Sequence, residues 1–86
     1  MTGRRVVIRG GHDLGVAIAE ARKARGLTQQ QLAELSGVER SYLAKIESGL
    51  SVALLERSLR LLRRLGAQIV VELPPTDLPD AQSDRT

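Results

Sequence analysis

Residues 26–49 of the chain, GLTQQQLAELSGVERSYLAKIESG, decide its fold. Thr28 and Gln31 have the spacing of a capping box, so a helix is predicted to begin after Thr28. Gly37 is expected to end that helix, because a tight reversal needs backbone angles that glycine adopts freely. A second helix is predicted over residues 39–48. The stretch therefore predicts two helices joined by a short turn.

The second of these helices has an inner and an outer side. Leu43 and Ile46 follow Val38 at a spacing that turns them inward, and Ala33 gives the small side chain that a close helix crossing needs. The outer side carries side chains that can reach base edges and phosphates in a major groove: Glu39, Arg40, Ser41, Tyr42 and Lys45. The turn alone also fits a plain helical hairpin, whereas the polar and basic outer side favours DNA binding.

The flanking residues predict the rest of a small helical domain. Residues 4–9 and 67–73 are short β-branched runs, and both are predicted as strands. One helix is predicted from a cap at Asp13 to Arg25. Another is predicted over residues 52–65, with Leu55, Leu59, Leu62 and Leu65 on one stripe. Leu54, Ser58 and Leu61 widen that stripe beyond what one small core requires.

These elements give a fold class and a domain division. We predict a mainly α fold: a compact domain of four to five helices over residues 1–73, with a short strand at each end. Residues 74–86 hold three Asp and few apolar side chains, and they are predicted to form a disordered acidic tail.

Charge and composition narrow the function. Residues 1–73 hold 12 Lys and Arg against 7 Asp and Glu, a net charge of +5, which indicates a polyanionic partner. The chain has no Cys and one His, so we expect no metal site and no cofactor. The serines have no His and carboxylate arrangement to activate them, so we expect no catalytic residues and no enzymatic activity. No apolar run is long enough to cross a membrane, so the chain is expected in the cytoplasm.

The stretch GLTQQQLAELSGVERSYLAKIESG resembles the lambda-repressor-like, or XRE-type, helix-turn-helix family, and the resemblance runs from about Leu14 to Leu65. It implies that Gln29 and outer residues of the following helix contact double-stranded operator DNA. Together with the outer side described above, it gives a set of candidate DNA-binding residues: Thr28, Gln29, Glu39, Arg40, Ser41, Tyr42 and Lys45. It also implies a structural salt bridge between Arg22 and Glu47.

The ends of the domain resemble HipB-type antitoxins. A β run precedes the first helix, the last helix ends in Arg-Arg-Leu-Gly at residues 63–66, and a strand and a polar tail follow. This resemblance implies a type II antitoxin that represses its own operon, binds a HipA-type kinase toxin, and forms a homodimer partly through an intersubunit β-sheet. The predicted dimerisation residues are Leu61, Leu65, Ile69, Val70 and Val71.

Two other functions fit the same residues. One is a stand-alone phage-type or regulatory XRE repressor without a toxin partner. The other is an interaction module whose basic face binds an acidic protein, and such a module would give no footprint on DNA.

Overall fold

The domain consists of helices with a small sheet formed by its two ends. The computed structural model describes residues 4–75. In that range four helices and two strands follow in the order β1 (Arg5–Ile8), α1 (Gly11–Ala24), α2 (Gln29–Ser36), α3 (Arg40–Glu47), α4 (Ala53–Arg64) and β2 (Ile69–Glu72). The predicted mainly helical fold with terminal strands is confirmed, with four helices. Most of the predicted tail, from residue 76 onward, lies outside the described residues.

Local signals set the helix ends, with one exception. The Thr28 hydroxyl accepts the Gln31 N–H at 3.0 Å, and the Gln31 side-chain oxygen accepts the Thr28 N–H at 2.8 Å, so the predicted capping box is present. Gly37 ends α2 with φ of +79°, a left-handed conformation that residues with a Cβ rarely adopt. The predicted cap at Asp13 is wrong. Helix α1 begins earlier, at Gly11, and from inside its first turn the Asp13 carboxylate accepts the Arg9 N–H at 2.9 Å.

Strands β1 and β2 pair antiparallel within the chain. The register runs from Arg5 opposite Glu72 to Ile8 opposite Ile69, and beyond it the Leu73 N–H donates to the Arg4 carbonyl at 2.7 Å. Successive side chains of a strand point to opposite faces, so Val6, Ile8 and Val71 share the face that packs on the core. This pairing uses one edge of each strand, and the intersubunit sheet stays a prediction.

The main core lies between the sheet, α1 and α4. Its buried members are Ile8, Ala17, Leu59 and Leu73. The stripe predicted for α4 divides: Leu55 and Leu59 pack in the core, whereas Leu65, also predicted as a dimerisation residue, is 80% exposed. Leu65 is the C-terminal cap residue of α4, and at about 100° per residue it lies on the same outer side as Leu54 and Leu61.

Helix α1 lies directly against the backbone at the end of α3. A Cβ added at Gly15 would come within 2.9 Å of the Glu47 carbonyl oxygen and closer still to that of Ile46. Neither acceptor is a flexible side chain that could move aside. The close approach of α1 to α3 therefore requires glycine at this position.

Substitution of Gly15 by Ala should destabilise the protein, although alanine in a helix is normally worth about 1 kcal/mol more than glycine. Overpacking against backbone typically costs about 1–3 kcal/mol, which is enough to outweigh the gain in helix propensity. Urea unfolding measures the difference, with Ala19→Gly in the same helix as the control for propensity. A Gly15→Ala variant more stable than the wild type would contradict the close approach.

Candidate nucleic-acid interface

Helix α3 is anchored along one side and exposed along the other. Leu43 is its buried residue, and Ile46 and Glu47 beside it are half-buried. At about 100° per residue, Ser41 and Lys45 lie on the opposite side of the helix with Tyr42 beside them, whereas Arg40, in the first turn, lies nearer the side of Glu47. All four side chains are exposed, and so is Glu39, the residue that caps the helix. The structure therefore exposes all the candidate residues of α3 and places Ser41, Tyr42 and Lys45 on the side away from Leu43.

An ion pair fixes α3 to α1. The Arg22 Nε donates to Glu47 Oε2 at 2.8 Å and its Nη2 donates to Oε1 at 3.0 Å, a bidentate arrangement that holds both planar groups in one orientation. The remaining Nη1 donates to the Leu27 carbonyl at 2.7 Å. One guanidinium group thus ties α1, the segment before α2 and the end of α3 together. Both side chains are largely buried, at 11% and 7% exposed.

Gln29 joins α2 to the same carboxylate. Its Nε2 donates to Glu47 Oε1 at 3.0 Å, so one amide hydrogen points into the domain. The side-chain oxygen and the second amide hydrogen remain for other partners. Thr28 is exposed next to it, and its hydroxyl accepts the capping bond and keeps its own hydrogen for donation. Glu47 therefore connects the start of α2 to the end of α3.

The network also sets the charge of its members. Hydrogen bonding from Arg22 lowers the pKa of Glu47 below its usual range, and the bond from Gln29 adds to that effect, while burial opposes it. The same bond to Glu47 raises the pKa of Arg22. Both groups are therefore charged at neutral pH, and the pair contributes no net charge to the exposed surface.

Glu56, which no pattern in the sequence singles out, holds the segment between α3 and α4. Its carboxylate accepts the Gly11 N–H at 3.0 Å and a hydrogen bond from the Ser51 hydroxyl. Both bonds lower the pKa of Glu56, and the bond from Ser51 has the larger effect. The spacing of Ser51 and Glu56 matches no capping pattern, so no local signal in the sequence indicates the contact.

The predicted dimerisation residues lie apart from this surface. Leu61 and Leu65 are exposed on the outer side of α4, and Ile69 is exposed at the start of β2. Val71 packs against the core, and Val70 is half-buried on the other face of the sheet. The structure therefore places three of the five residues on an accessible surface.

Residues 4–75 contain neither a cluster of metal ligands nor a membrane-spanning helix. No group of three or more His, Cys, Asp or Glu side chains in that range is arranged to hold a metal ion. No helix in the described part of the chain has the length and apolar character of a membrane span.

Comparisons with known proteins agree with the arrangement of α2 and α3. A family model described as helix-turn-helix matches residues 18–70. The chain is similar to the HTH-type transcriptional regulator SlrR of Bacillus subtilis, with 40% identity over 70 residues, which make up 81% of this chain and 43% of the relative. The chain thus spans less than half the length of that relative. No solved structure matches the chain significantly.

Glu47→Gln should remove a pH-dependent part of the stability. Because the folded-state pKa of Glu47 is lowered, its contribution is present above the ordinary carboxyl pKa and is lost as the pH falls from about 5 through the lowered value. At neutral pH the variant leaves Arg22 without its counter-charge, which costs about 3 kcal/mol for a buried pair. Urea unfolding between pH 3 and pH 7, in steps of roughly one unit, measures both effects.

The matched control is Glu34→Gln, which removes an exposed carboxylate in α2. It should follow the wild-type pH dependence. If the Glu47 variant loses as much stability on acidification as the wild type does, the ion pair does not provide that stability.

Proposed function

The chain belongs to the XRE-type helix-turn-helix family, and on this premise we propose that it is a sequence-specific DNA-binding transcriptional regulator that acts as a repressor. The observation that carries the proposal is the polar and basic side of α3, which is exposed while the other side is fixed to α1 and α2 through Glu47. A helix held in this way can enter a major groove without rearranging the domain.

Each candidate residue has a role in this proposal. Arg40 and Lys45 donate to guanine acceptors or to phosphates, and Ser41 donates to a base edge or a phosphate. Glu39 accepts from a cytosine amino group, and Tyr42 contacts a thymine methyl or a phosphate. Thr28 and the second amide hydrogen of Gln29 donate to the phosphate backbone at the start of α2.

Arg40→Ala and Lys45→Ala should each weaken binding to the operator. A side chain that reads a base contributes about 1–3 kcal/mol, and its loss relaxes the preference at one position. Loss of a side chain that contacts only phosphate weakens binding to all sequences alike and lowers the slope of the salt dependence by about 1. Affinities for operator and random duplexes at several salt concentrations separate the two roles.

Arg5→Ala is the control for charge alone, since it removes an exposed arginine from β1. It should change operator affinity much less than either α3 variant. Equal losses in all three variants would mean that general charge, not the α3 surface, binds the DNA.

We also propose that the repressor is a homodimer. Three leucines on the outer side of α4, Leu54, Leu61 and Leu65, are 77%, 66% and 80% exposed, and they define the leucine strip. Strand β2 keeps one edge available for a strand of the second copy, where Ile69, Val70 and Val71 would lie. A two-fold dimer would place two α3 helices about 34–36 Å apart, the spacing of successive major grooves.

Leu61→Gln and Leu65→Gln should each weaken the dimer. A symmetric interface loses the side chain twice, so even about 1.5 kcal/mol per buried leucine gives on the order of a 100-fold higher dissociation constant. Sedimentation equilibrium measures it. Leu35→Gln, an exposed leucine of α2, is the matched control. An unchanged association constant in both α4 variants would remove the strip from the interface.

The ends of the chain support a more specific proposal, that the regulator is a type II antitoxin with a HipA-type kinase toxin as partner. The support is the resemblance of the N-terminal strand, the Arg63–Gly66 sequence and the C-terminal strand to HipB-type antitoxins. The alternative is a stand-alone XRE repressor, and the relative from Bacillus subtilis, named as a transcriptional regulator, favours it. Co-purification of the chain with the product of the adjacent gene distinguishes the two.

A further inference from the structure

A cavity opens where β1, β2 and the last turn of α4 meet. Its volume is about 410 Å³. Ile8 and Leu59, which are 3% and 2% exposed, line it together with Leu62 and Ile69, so its apolar wall reaches the main core. A volume of this order is within the range of pockets that hold small organic ligands, about 300–1,000 Å³.

The charged side chains that line this cavity, Arg9 and Arg63, are both positive, and its lining includes no Asp or Glu. Two carboxylates act on them from outside the lining: Asp13 accepts the Arg9 backbone N–H at 2.9 Å, and Glu56 interacts electrostatically with Arg63. Arg63 Nη1 donates to the Arg9 carbonyl at 3.2 Å, which holds the Arg63 side chain at the end of β1. The Arg9 guanidinium makes no hydrogen bond or ion pair with any residue in the range 4–75. Two arginines thus lie beside a cavity with one apolar wall, and the Arg9 guanidinium has all its donors available.

The end of α4 does not cancel this charge. A helix C-terminus carries about half a negative charge, whereas the two guanidinium groups carry two full positive charges. The carbonyl groups of Leu61, Leu62 and Arg63 also accept N–H groups from residues 65–67, which reduces their exposure to a ligand.

We propose that this cavity is a binding site for a small amphipathic anion, of the size of a medium-chain fatty acid or a single-ring aromatic carboxylate. The apolar part packs against Leu59, Leu62 and Ile69, and the carboxylate accepts hydrogen bonds from Arg9 and Arg63. Neither Leu61 nor the residues of α3 line the cavity, so the site lies apart from the α3 surface, and through Ile69 it borders the proposed dimer surface.

The test uses octanoate as the probe and the neutral 1-octanol as its matched analogue. Titration of the ¹⁵N-labelled full chain with octanoate should shift the amide signals of Gly66, Gln68 and Ile69, which line the cavity. Arg9→Gln and Arg63→Gln should each weaken octanoate binding about tenfold, the size of a lost hydrogen bond to a charged group, and leave octanol binding unchanged. Calorimetry gives the affinities.

Two control variants locate the ligand. Arg57→Gln removes an arginine of α4 that does not line the cavity, and Leu61→Gln removes part of the leucine strip; both should bind octanoate as the wild type does. Arg9 is exposed and its side chain makes no contact that supports the fold, so its variant should give the wild-type amide spectrum. The proposal is overturned if octanol binds as tightly as octanoate, if both Arg variants bind normally, or if Leu61→Gln abolishes binding.

Discussion

The buried pair of Arg22 and Glu47 is the interaction on which the rest of the helix-turn-helix arrangement depends. Glu47 accepts from Arg22 and from Gln29, and Arg22 also donates to the carbonyl of Leu27. All buried donors and acceptors of the two side chains therefore have partners, and a buried ion pair is tolerated only under this condition. Because its partners come from α1, α2 and the segment between them, the pair determines how α3 is oriented.

Helix α3 needs this support because it has little stability of its own. It has 8 residues, and isolated helices shorter than about 12 residues are marginal in water. Its buried residue is Leu43, so hydrophobic burial alone fixes it weakly. More apolar residues would anchor the helix better, but they would replace the side chains that can reach DNA. The ion pair resolves this conflict, since it fixes the helix from its last residue and leaves Arg40, Ser41 and Lys45 exposed.

The sequence predicted the elements whose causes are local and missed those whose causes are distant in the chain. The bounds of α2 follow from Thr28, Gln31 and Gly37, all of which act within one turn. The need for glycine at Gly15 and the contact of Glu56 with Gly11 depend on segments more than 30 residues away, so no spacing reveals them. Periodicity places Leu65 on one stripe with Leu55 and Leu59, but periodicity cannot tell which part of a wide apolar side faces the core. On the candidate interface, the sequence predicted the exposed side of α3, and the link from Gln29 to Glu47 appears only in the folded chain.

Helix α4 combines apolar and charged surfaces that respond differently to salt. At about 100° per residue, Arg57 and Arg64 lie beside the leucine strip, so two copies that pack along it bring rows of like charge together. Burial of each leucine contributes about 1.5–3 kcal/mol, whereas an exposed charge pair is worth at most about 1 kcal/mol, so burial decides whether the dimer forms. Salt would screen the repulsion and strengthen such a dimer, but it would weaken DNA binding, because counterion release is entropically less favourable at higher salt concentration. The two proposed interfaces therefore depend on ionic strength with opposite signs.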